Sequence, residues 1–574
     1  MTEVFEPVDA HDRRLVLGAT GLLAQFNEAG VLQAADVHVA SRIGALAGER
    51  REEVHLALAM LVRAARNGSV CLEFESLEPP PEPLAWPSDW LALVADSPLV
   101  PAGVIRIDEG LAYLDRYWRE EGAVSADLLS RGLRSAPSYG EARLADSLDA
   151  LFVGETYAEQ RAAAADSVAR LTSVITGGPG TGKTTTLARL LALLVSVSDQ
   201  PLRIGLAAPT GKAAARMTQA IADAAQHPDF PEAHRESLAG LTASTLHRLL
   251  GFKGLGTRFR HDRSNPLPHD VVVIDETSMV SLTQMARLIE AVRPDARLIL
   301  VGDPDQLTSV EAGAVLKDLV AGMANRSAVS GLTRTFRFGD AIGTLASAIR
   351  DGDDDGVWTL LQSGVGGVEL LDPADLSAIR ASVLPPALGL LRAAEAGDVN
   401  AALQSVEAHR LLVAHREGPF GVGQWNRQIE RWLLEATGRD WFPHWYAGQP
   451  LIVNSNDYGL KLWNGDTGVV VHSDDGLTAV FADGLAGRRL GLSRLADVDT
   501  AHAITVHRSQ GSQFDEVTVL LPDVDSRTLT RELLYTAVTR AQSKVRVVAT
   551  EESIRAAVTR PAQRATGLAR RLAR

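Results

Sequence analysis

The stretch that decides the fold is Leu171-Thr172-Ser173-Val174-Ile175-Thr176-Gly177-Gly178-Pro179-Gly180-Thr181-Gly182-Lys183-Thr184, with Thr185–Val195 behind it. A short β-branched run enters a glycine-rich turn, and the turn enters a helical pattern. This is G-x-x-x-x-G-K-[ST] in the strand–turn–helix setting that gives the pattern its meaning. The glycines let backbone N–H groups turn inward around a β-phosphate, and the helix N-terminus adds partial positive charge. Gly178, Gly180, Thr181, Gly182 and Thr185 are therefore expected to line a nucleotide. Lys183 is expected to bridge its β- and γ-phosphates, and Thr184 to hold Mg²⁺. The expected cofactors are ATP and Mg²⁺.

Working outward, short apolar runs alternate with longer helical patterns. Leu171–Thr176, Leu202–Ala207, Val271–Ile274 and Arg297–Val301 read as buried parallel strands, the rhythm of a doubly wound sheet. Val271-Val272-Val273-Ile274-Asp275-Glu276 ends on two carboxylates. Asp275 is expected to reach the Mg²⁺ and Glu276 to orient and deprotonate the attacking water. The next strand ends on Gly302-Asp303-Pro304-Asp305-Gln306, where Gln306 is expected to sense the γ-phosphate. Arg337 and Arg540 lie in a second αβ region from about residue 331, with strands near Glu516–Leu521 and Val545–Thr550. Arginines from a second domain are suited to charge that develops on a transferred phosphoryl group. Gln160, upstream of the loop, is a candidate for the adenine edge, and Gly511 for the nucleotide's second-lobe side; a helix-surface glutamine is the other reading of Gln160.

The chain has 574 residues and a net charge of −14, enough for three or four domains. Residues 1–150 hold 24 acidic residues and 13 Arg with no Lys, a net of −11, and residues 151–574 hold only −3. An acidic surface repels phosphate backbones, so nucleic acid contact is expected from residues 151–574 and protein docking from 1–150. A single cysteine, Cys71, excludes a disulfide framework and a cysteine zinc cluster, and fits a reducing compartment. Acidic residues at positions 3, 6, 9 and 12 do not suit a signal peptide, and no run is long enough to span a bilayer, so no membrane partner and a cytoplasmic location are expected. Residues 10–76 read as helical, and Glu78–Pro83 as a loop. Gln449–Leu490 is strand-rich and studded with glycines, as a small inserted β-barrel would be. The expected organisation is 1–150, an acidic helical unit; 151–330, a first motor domain with a hairpin insertion at about 252–270; and 331–574, a second motor domain with the barrel at about 449–495.

The order of these motifs resembles superfamily 1 helicases, and within them the RecD group. The match includes Ala208-Pro209-Thr210-Gly211-Lys212-Ala213-Ala214, Thr245-Leu246-His247-Arg248, Asn464-Gly465-Asp466-Thr467-Gly468, Thr505-Val506-His507-Arg508-Ser509-Gln510-Gly511 and Tyr535-Thr536-Ala537-Val538-Thr539-Arg540. The resemblance implies two RecA-like motor domains and an ATP-driven 5′-to-3′ motor on single-stranded DNA that unwinds the duplex. It implies a strand path along Thr210, Lys212, His247, Thr505 and His507, and RecB-like and RecC-like partner subunits in a complex for double-strand break repair. The hairpin at 252–270 is expected to help part the strands. No nuclease constellation is visible, so nuclease chemistry is expected in a partner. A stand-alone RecD-like helicase, or a nucleotide-binding structural subunit, are the alternative readings.

Overall fold

The structure is a computed structural model. It describes residues 5, 9, 11–252, 258–326, 328–336, 340–457, 459–482 and 487–574. Two parallel sheets dominate. The first has six strands in the order Ala243–Thr245, Ile204–Ala208, Val271–Ile274, Arg297–Gly302, Thr172–Gly177, Val329–Leu332, all parallel. The second has five, in the order Val368–Leu371, Ala541–Val548, Phe514–Leu520, His409–Val413, Ala503–Thr505, again all parallel. Val271, Val272, Val273 and Ile274 are all buried, which is why that strand is a continuous apolar run instead of an alternation. Helices such as Lys183–Val197 cover the first sheet, with Leu187, Leu190, Leu191 and Leu194 fully buried against it.

In open sheets of this kind ligands bind outside the carboxyl ends of the strands. That end of the first sheet carries the turns after Gly177, Ala208, Ile274 and Gly302. The second sheet faces it with the turn after Thr505 and with the helix Arg531–Val538.

The stretch read as a small barrel is an antiparallel five-stranded sheet. Its order is Arg488–Gly491, Gly476–Phe481, Thr467–Ser473, Pro450–Val453, Val498–Thr500, with the first and last at its ends. The hairpin insertion is described at its base, where Phe252 bridges Phe259 and Asp262 bridges Asn265; residues 253–257 lie outside the described residues.

Residues 10–76 are not all helical. Gly21–Glu28, Ala34–Ala47 and Glu52–Arg66 are helices, but Cys71–Glu73 is a strand. It pairs with Leu111–Leu114, which also pairs with Ile105–Asp108. The pairing spans some forty residues of chain, and no local pattern encodes it.

This N-terminal block shares a core with the first lobe. Cys71, Leu111, Tyr113, Val124 and Leu128 pack in one cluster with Val272, Leu298 and Leu300 of the first sheet. Arg131, on the helix Asp115–Gly132, donates to the carbonyls of Val292 (2.8 Å), Arg293 (2.9 Å) and Ala296 (3.1 Å), beyond the end of the helix Leu282–Ala291. Leu148 and Leu151, close to the expected boundary at 150, sit in the core under the phosphate-loop helix. The helix Leu568–Ala573 completes the junction: Leu568 and Leu572 are buried in the same cluster, and the Gly567 N–H donates to Glu121 at 2.9 Å. No helix among the described residues is long and apolar enough to cross a membrane.

Candidate functional site

The phosphate loop joins the central strand Thr172–Gly177 to the helix Lys183–Val197. Gly180 and Gly182 both sit at φ +81°, a left-handed conformation that glycine adopts without penalty. The Lys183 ammonium folds back on its own loop and donates to the carbonyls of Gly177 (2.6 Å) and Gly178 (2.9 Å). The Thr181 hydroxyl also donates to Gly178, at 2.8 Å, and Thr181 is buried beneath the loop. Gly180, Gly182, Lys183, Thr184 and Thr185 line a cavity of about 650 Å³, well within the size range of nucleotide-sized pockets.

Asp275 and Glu276 line the same cavity. Burial, and then the charge of Glu276, push the Asp275 carboxyl above the usual carboxylate range, while the Glu276 N–H bonds to it at 2.8 Å. A carboxyl raised beside a second carboxylate, with the Thr184 hydroxyl on the same cavity, is a donor set that fits a hard divalent cation. Glu276 itself stands at φ +50°, a strained position for a residue with a side chain.

The second lobe reaches in from the opposite side. Arg540 is buried, and its guanidinium donates to Gln306 Oε1 at 2.9 Å, to the Thr536 carbonyl at 3.1 Å and to the Ser512 carbonyl at 3.3 Å. Gln306 Nε2 in turn donates to Asp303 at 3.0 Å, and the Tyr535 hydroxyl donates to the same carboxylate at 3.2 Å. The Leu307 N–H donates to Thr536 Oγ1 (2.8 Å), and Gln510 donates to the Leu307 carbonyl (2.8 Å). The expected pair Gln306 and Arg540 is thus in direct contact across the lobes. Arg337, the other expected arginine, lies outside the described residues.

A recess of about 220 Å³ adjoins the loop, lined by Tyr157, Gln160, Thr186, Arg189 and Phe336 among others. Tyr157 and Phe336 are stacked at 6.4 Å, and Arg189 lies over Tyr157 at 4.2 Å. Gln160 Nε2 donates to the Thr181 carbonyl at 3.4 Å, and its Oε1 is buried without a hydrogen-bond partner. An orphan acceptor in a recess that two aromatic rings also line suits an amino-bearing heterocycle.

Of the five expected strand contacts, His247, Thr505 and His507 lie at or just after the edge strands Ala243–Thr245 and Ala503–Thr505, while Thr210 and Lys212 follow Ile204–Ala208, one strand in from the edge. Thr210 caps the helix Gly211–Gln226, its hydroxyl oxygen accepting from the Ala213 N–H at 3.2 Å. Thr505 precedes the turn His507–Ser509, and its hydroxyl oxygen accepts from the Arg508 N–H at 3.2 Å. Each hydroxyl keeps its proton free to donate, but Thr505 is buried and Thr210 is part-exposed. Lys212 lies 3.5 Å from Thr467 of the antiparallel insertion, and burial, then nearby Arg410, hold its ammonium down to about 8. His247 packs against Phe252 and Phe259 at the base of the hairpin insertion. Burial lowers the pKa of His507, which favours the neutral ring.

Sequence reading missed three participants. Tyr535 and Thr536 fall inside a quoted motif but carried no role. Arg216 lies just past the quoted Ala208–Ala214 run, one helical turn beyond Lys212, and that four-residue spacing was the available signal.

Family profiles match three stretches: the AAA domain over residues 160–312, the UvrD-like helicase C-terminal domain over 500–548, and the RecBCD enzyme subunit RecD, N-terminal domain, over 28–105. The RecBCD enzyme subunit RecD of Mycobacterium tuberculosis is 53% identical over 567 residues, covering 96% of this chain and 97% of that one. The ATP-dependent RecD2 DNA helicase of Deinococcus radiodurans is 31% identical over 455 residues, covering 78% and 56%. A crystal structure of the Pif1 helicase of Candida albicans aligns over 69% of this chain and 95% of that one at 17% identity, with a TM-score of 0.39. Over half of the residues match across nearly the whole of both chains in the first case, and a profile of the N-terminal domain matches the acidic block, so the protein belongs to the RecD family of RecBCD enzyme subunits.

Proposed function

We propose that this chain is an ATP-driven motor that moves 5′ to 3′ on single-stranded DNA and unwinds duplex, as the RecD-like subunit of a RecBCD-type assembly in double-strand break repair. The observation that carries it is Arg540, brought by the second lobe into the cavity of the first and bonded there to Gln306. A scaffold that merely held nucleotide would not need a cation from a second domain beside a part-buried carboxylate pair.

In this reading ATP enters with its triphosphate at Gly178–Thr185 and its adenine in the Tyr157–Phe336 recess, where the Gln160 acceptor meets the exocyclic amine. Lys183 exchanges two backbone carbonyls for phosphate oxygens, which are stronger acceptors. Thr184 and Asp275 would hold Mg²⁺, which when bound neutralises charge on the phosphates. Glu276 takes the proton of the attacking water. Gln306 and Arg540 meet the charge that develops on the transferred group, and their contact depends on how the lobes sit. Gly511 borders the cavity from the second lobe. Thr210, Lys212, His247, Thr505 and His507 hold the strand backbone without reading bases, and Arg337 adds a second cation.

The organisation we propose keeps 151–330 and 331–574 as RecA-like motor domains, with a barrel-like insertion at 449–495. Residues 1–150 carry the surface for RecB-like and RecC-like subunits. The test is ATP hydrolysis by the full chain with and without oligothymidylate. Stimulation by the strand is expected, and Glu276→Gln is expected to bind nucleotide but keep less than about a tenth of the rate, a loss above roughly 1.4 kcal/mol. Strand-independent hydrolysis in the wild type would refute the motor reading.

A further inference from the structure

Arg216 sits on the helix Gly211–Gln226, on the face that Lys212 begins. Its guanidinium borders the nucleotide cavity together with Asp275, Glu276 and Arg540. The same guanidinium donates to the Gly511 carbonyl, at 2.7 Å, across 295 positions of sequence and from one lobe to the other.

Gly511 closes a compact hydrogen-bonded turn. At its start the Thr505 hydroxyl accepts from the Arg508 N–H, the Ser509 N–H returns to the Val506 carbonyl at 3.1 Å, and the Ser512 N–H returns to Ser509 at 2.9 Å. Gly511 has φ +72°, and a Cβ there would stand 3.5 Å from the Ala213 methyl, so the turn lies directly on the helix that carries Arg216. The turn that carries Thr505 and His507 is therefore tied to the first lobe at its far end by the Arg216 guanidinium, on the nucleotide cavity, beside the Gln510 bond to the Leu307 carbonyl.

That guanidinium bonds a backbone carbonyl beside a cavity that already carries Asp275 and Glu276, and a bound triphosphate would offer it a second, unequal class of acceptor. The Gly511 carbonyl is neutral. A triphosphate brings ionised oxygens, which bond a guanidinium roughly twice as strongly and suit its planar fork. We propose that Arg216 couples the two sites: it holds the Thr505–Gly511 turn closed until a triphosphate in the cavity draws it away and frees the turn. The inference rests on the motor reading above, because it needs both a nucleotide and a strand. By linkage, whatever a triphosphate does to strand grip through Arg216, the strand does equally to triphosphate affinity. The element with two states is the turn, and its release loosens the strand.

The experiment measures binding of a fluorescent oligothymidylate by anisotropy, to the full-length chain, without nucleotide and with a saturating non-hydrolysable ATP analogue plus Mg²⁺. Arg216→Gln removes the donor. It is expected to weaken strand binding without nucleotide by fivefold or more. With the analogue it should match the wild type within twofold, since the turn is already released in both. Arg216→Lys keeps a charged donor and is expected to recover part of the lost affinity. Thermal denaturation of the variants checks that the fold persists. If Arg216→Gln weakens binding equally in both nucleotide states, the residue is only a bolt between the lobes and the coupling proposal is overturned. It is overturned as well if neither affinity moves. A wild-type chain whose ATP hydrolysis ignores the strand would refute the motor reading itself, so the two failures are distinguishable.

Discussion

Replacing Arg131 by methionine should unfasten the acidic block from the first lobe while leaving the side chain's bulk in place. The Arg131 side chain is only 1% exposed and sits within 2.6 Å of Asp127. Its guanidinium serves three carbonyls just past the end of the helix Leu282–Ala291, where a cation also complements the helix dipole. Asp127 is 18% exposed and water can serve it, so the loss comes mainly from the freed buried carbonyls, each costing about 1–3 kcal/mol unless water reaches it. A neighbouring cavity of about 130 Å³, lined in part by Arg131, Arg170 and Met323, offers such water a route. The lower end summed over the three carbonyls, about 3 kcal/mol, is therefore the expected loss for Arg131→Met, which makes local opening of this junction roughly 100-fold more frequent. Hydrogen exchange followed by mass spectrometry reads it directly in peptides covering 115–132 and 282–300. Acceleration of less than about tenfold, or acceleration spread evenly over the chain, would refute the assignment of Arg131 as the fastening of this junction.

Arg540→Ala is expected to lower strand-stimulated kcat by about 10³-fold or more with a modest change in KM for ATP, since a phosphoryl-facing arginine acts mainly in the transition state; steady-state kinetics that show normal turnover would count against it. Burial pushes Asp318 up to about 7, with the Thr566 hydroxyl donating to it at 2.8 Å. The folded chain therefore holds that proton more tightly than the unfolded one, and the associated stability, full below about pH 4, is lost as pH rises through 7. Asp318→Asn should accordingly gain in Tm relative to the wild type between pH 5 and pH 8, and a constant difference across that range would disprove it. A chain begun at residue 151 lacks Val124, Leu128 and Arg131 of the shared core and is expected to aggregate or melt early; recovery of a folded, strand-stimulated ATPase from it would show instead that residues 1–150 form a detachable docking unit.

The parts of the molecule that could be read in advance are those written in contiguous residues. Val271–Ile274 is apolar at every position, so its burial on both faces follows from the run itself, and the carboxylates after it could be placed at a strand tip. The phosphate loop was legible for the same reason, since each glycine and Lys183 act within eight residues of one another. What stayed hidden depends on segments distant in sequence. Cys71–Glu73 is too short to declare itself and becomes a strand only beside Leu111–Leu114. Arg216 reads as an ordinary helix arginine until Gly511 lies against it, and Tyr535 as a core aromatic until its hydroxyl donates a hydrogen bond to Asp303. The charge count separated the acidic block from the rest, but charge describes surfaces; the apolar seam formed by Val124, Leu128 and Leu572 lies beneath them.

The junction closed by Leu568–Ala573 also sets an order in time. Glu121 is buried, with its carboxyl raised by burial, and the backbone N–H that serves it belongs to Gly567, 446 positions further along. At about 5–20 residues per second of synthesis, roughly 20–90 s separate the emergence of the two. Through that interval the block around Val124 and Leu128 stands without the Leu568 and Leu572 side chains that cover part of it. A ribosome that stalls between the lobes would thus release a product with an open apolar seam and an acid that lacks its Gly567 donor, the kind of surface that holdase chaperones and quality-control proteases engage. The late arrival of one short helix makes the block around Val124 wait for residues hundreds of positions later before its seam is covered.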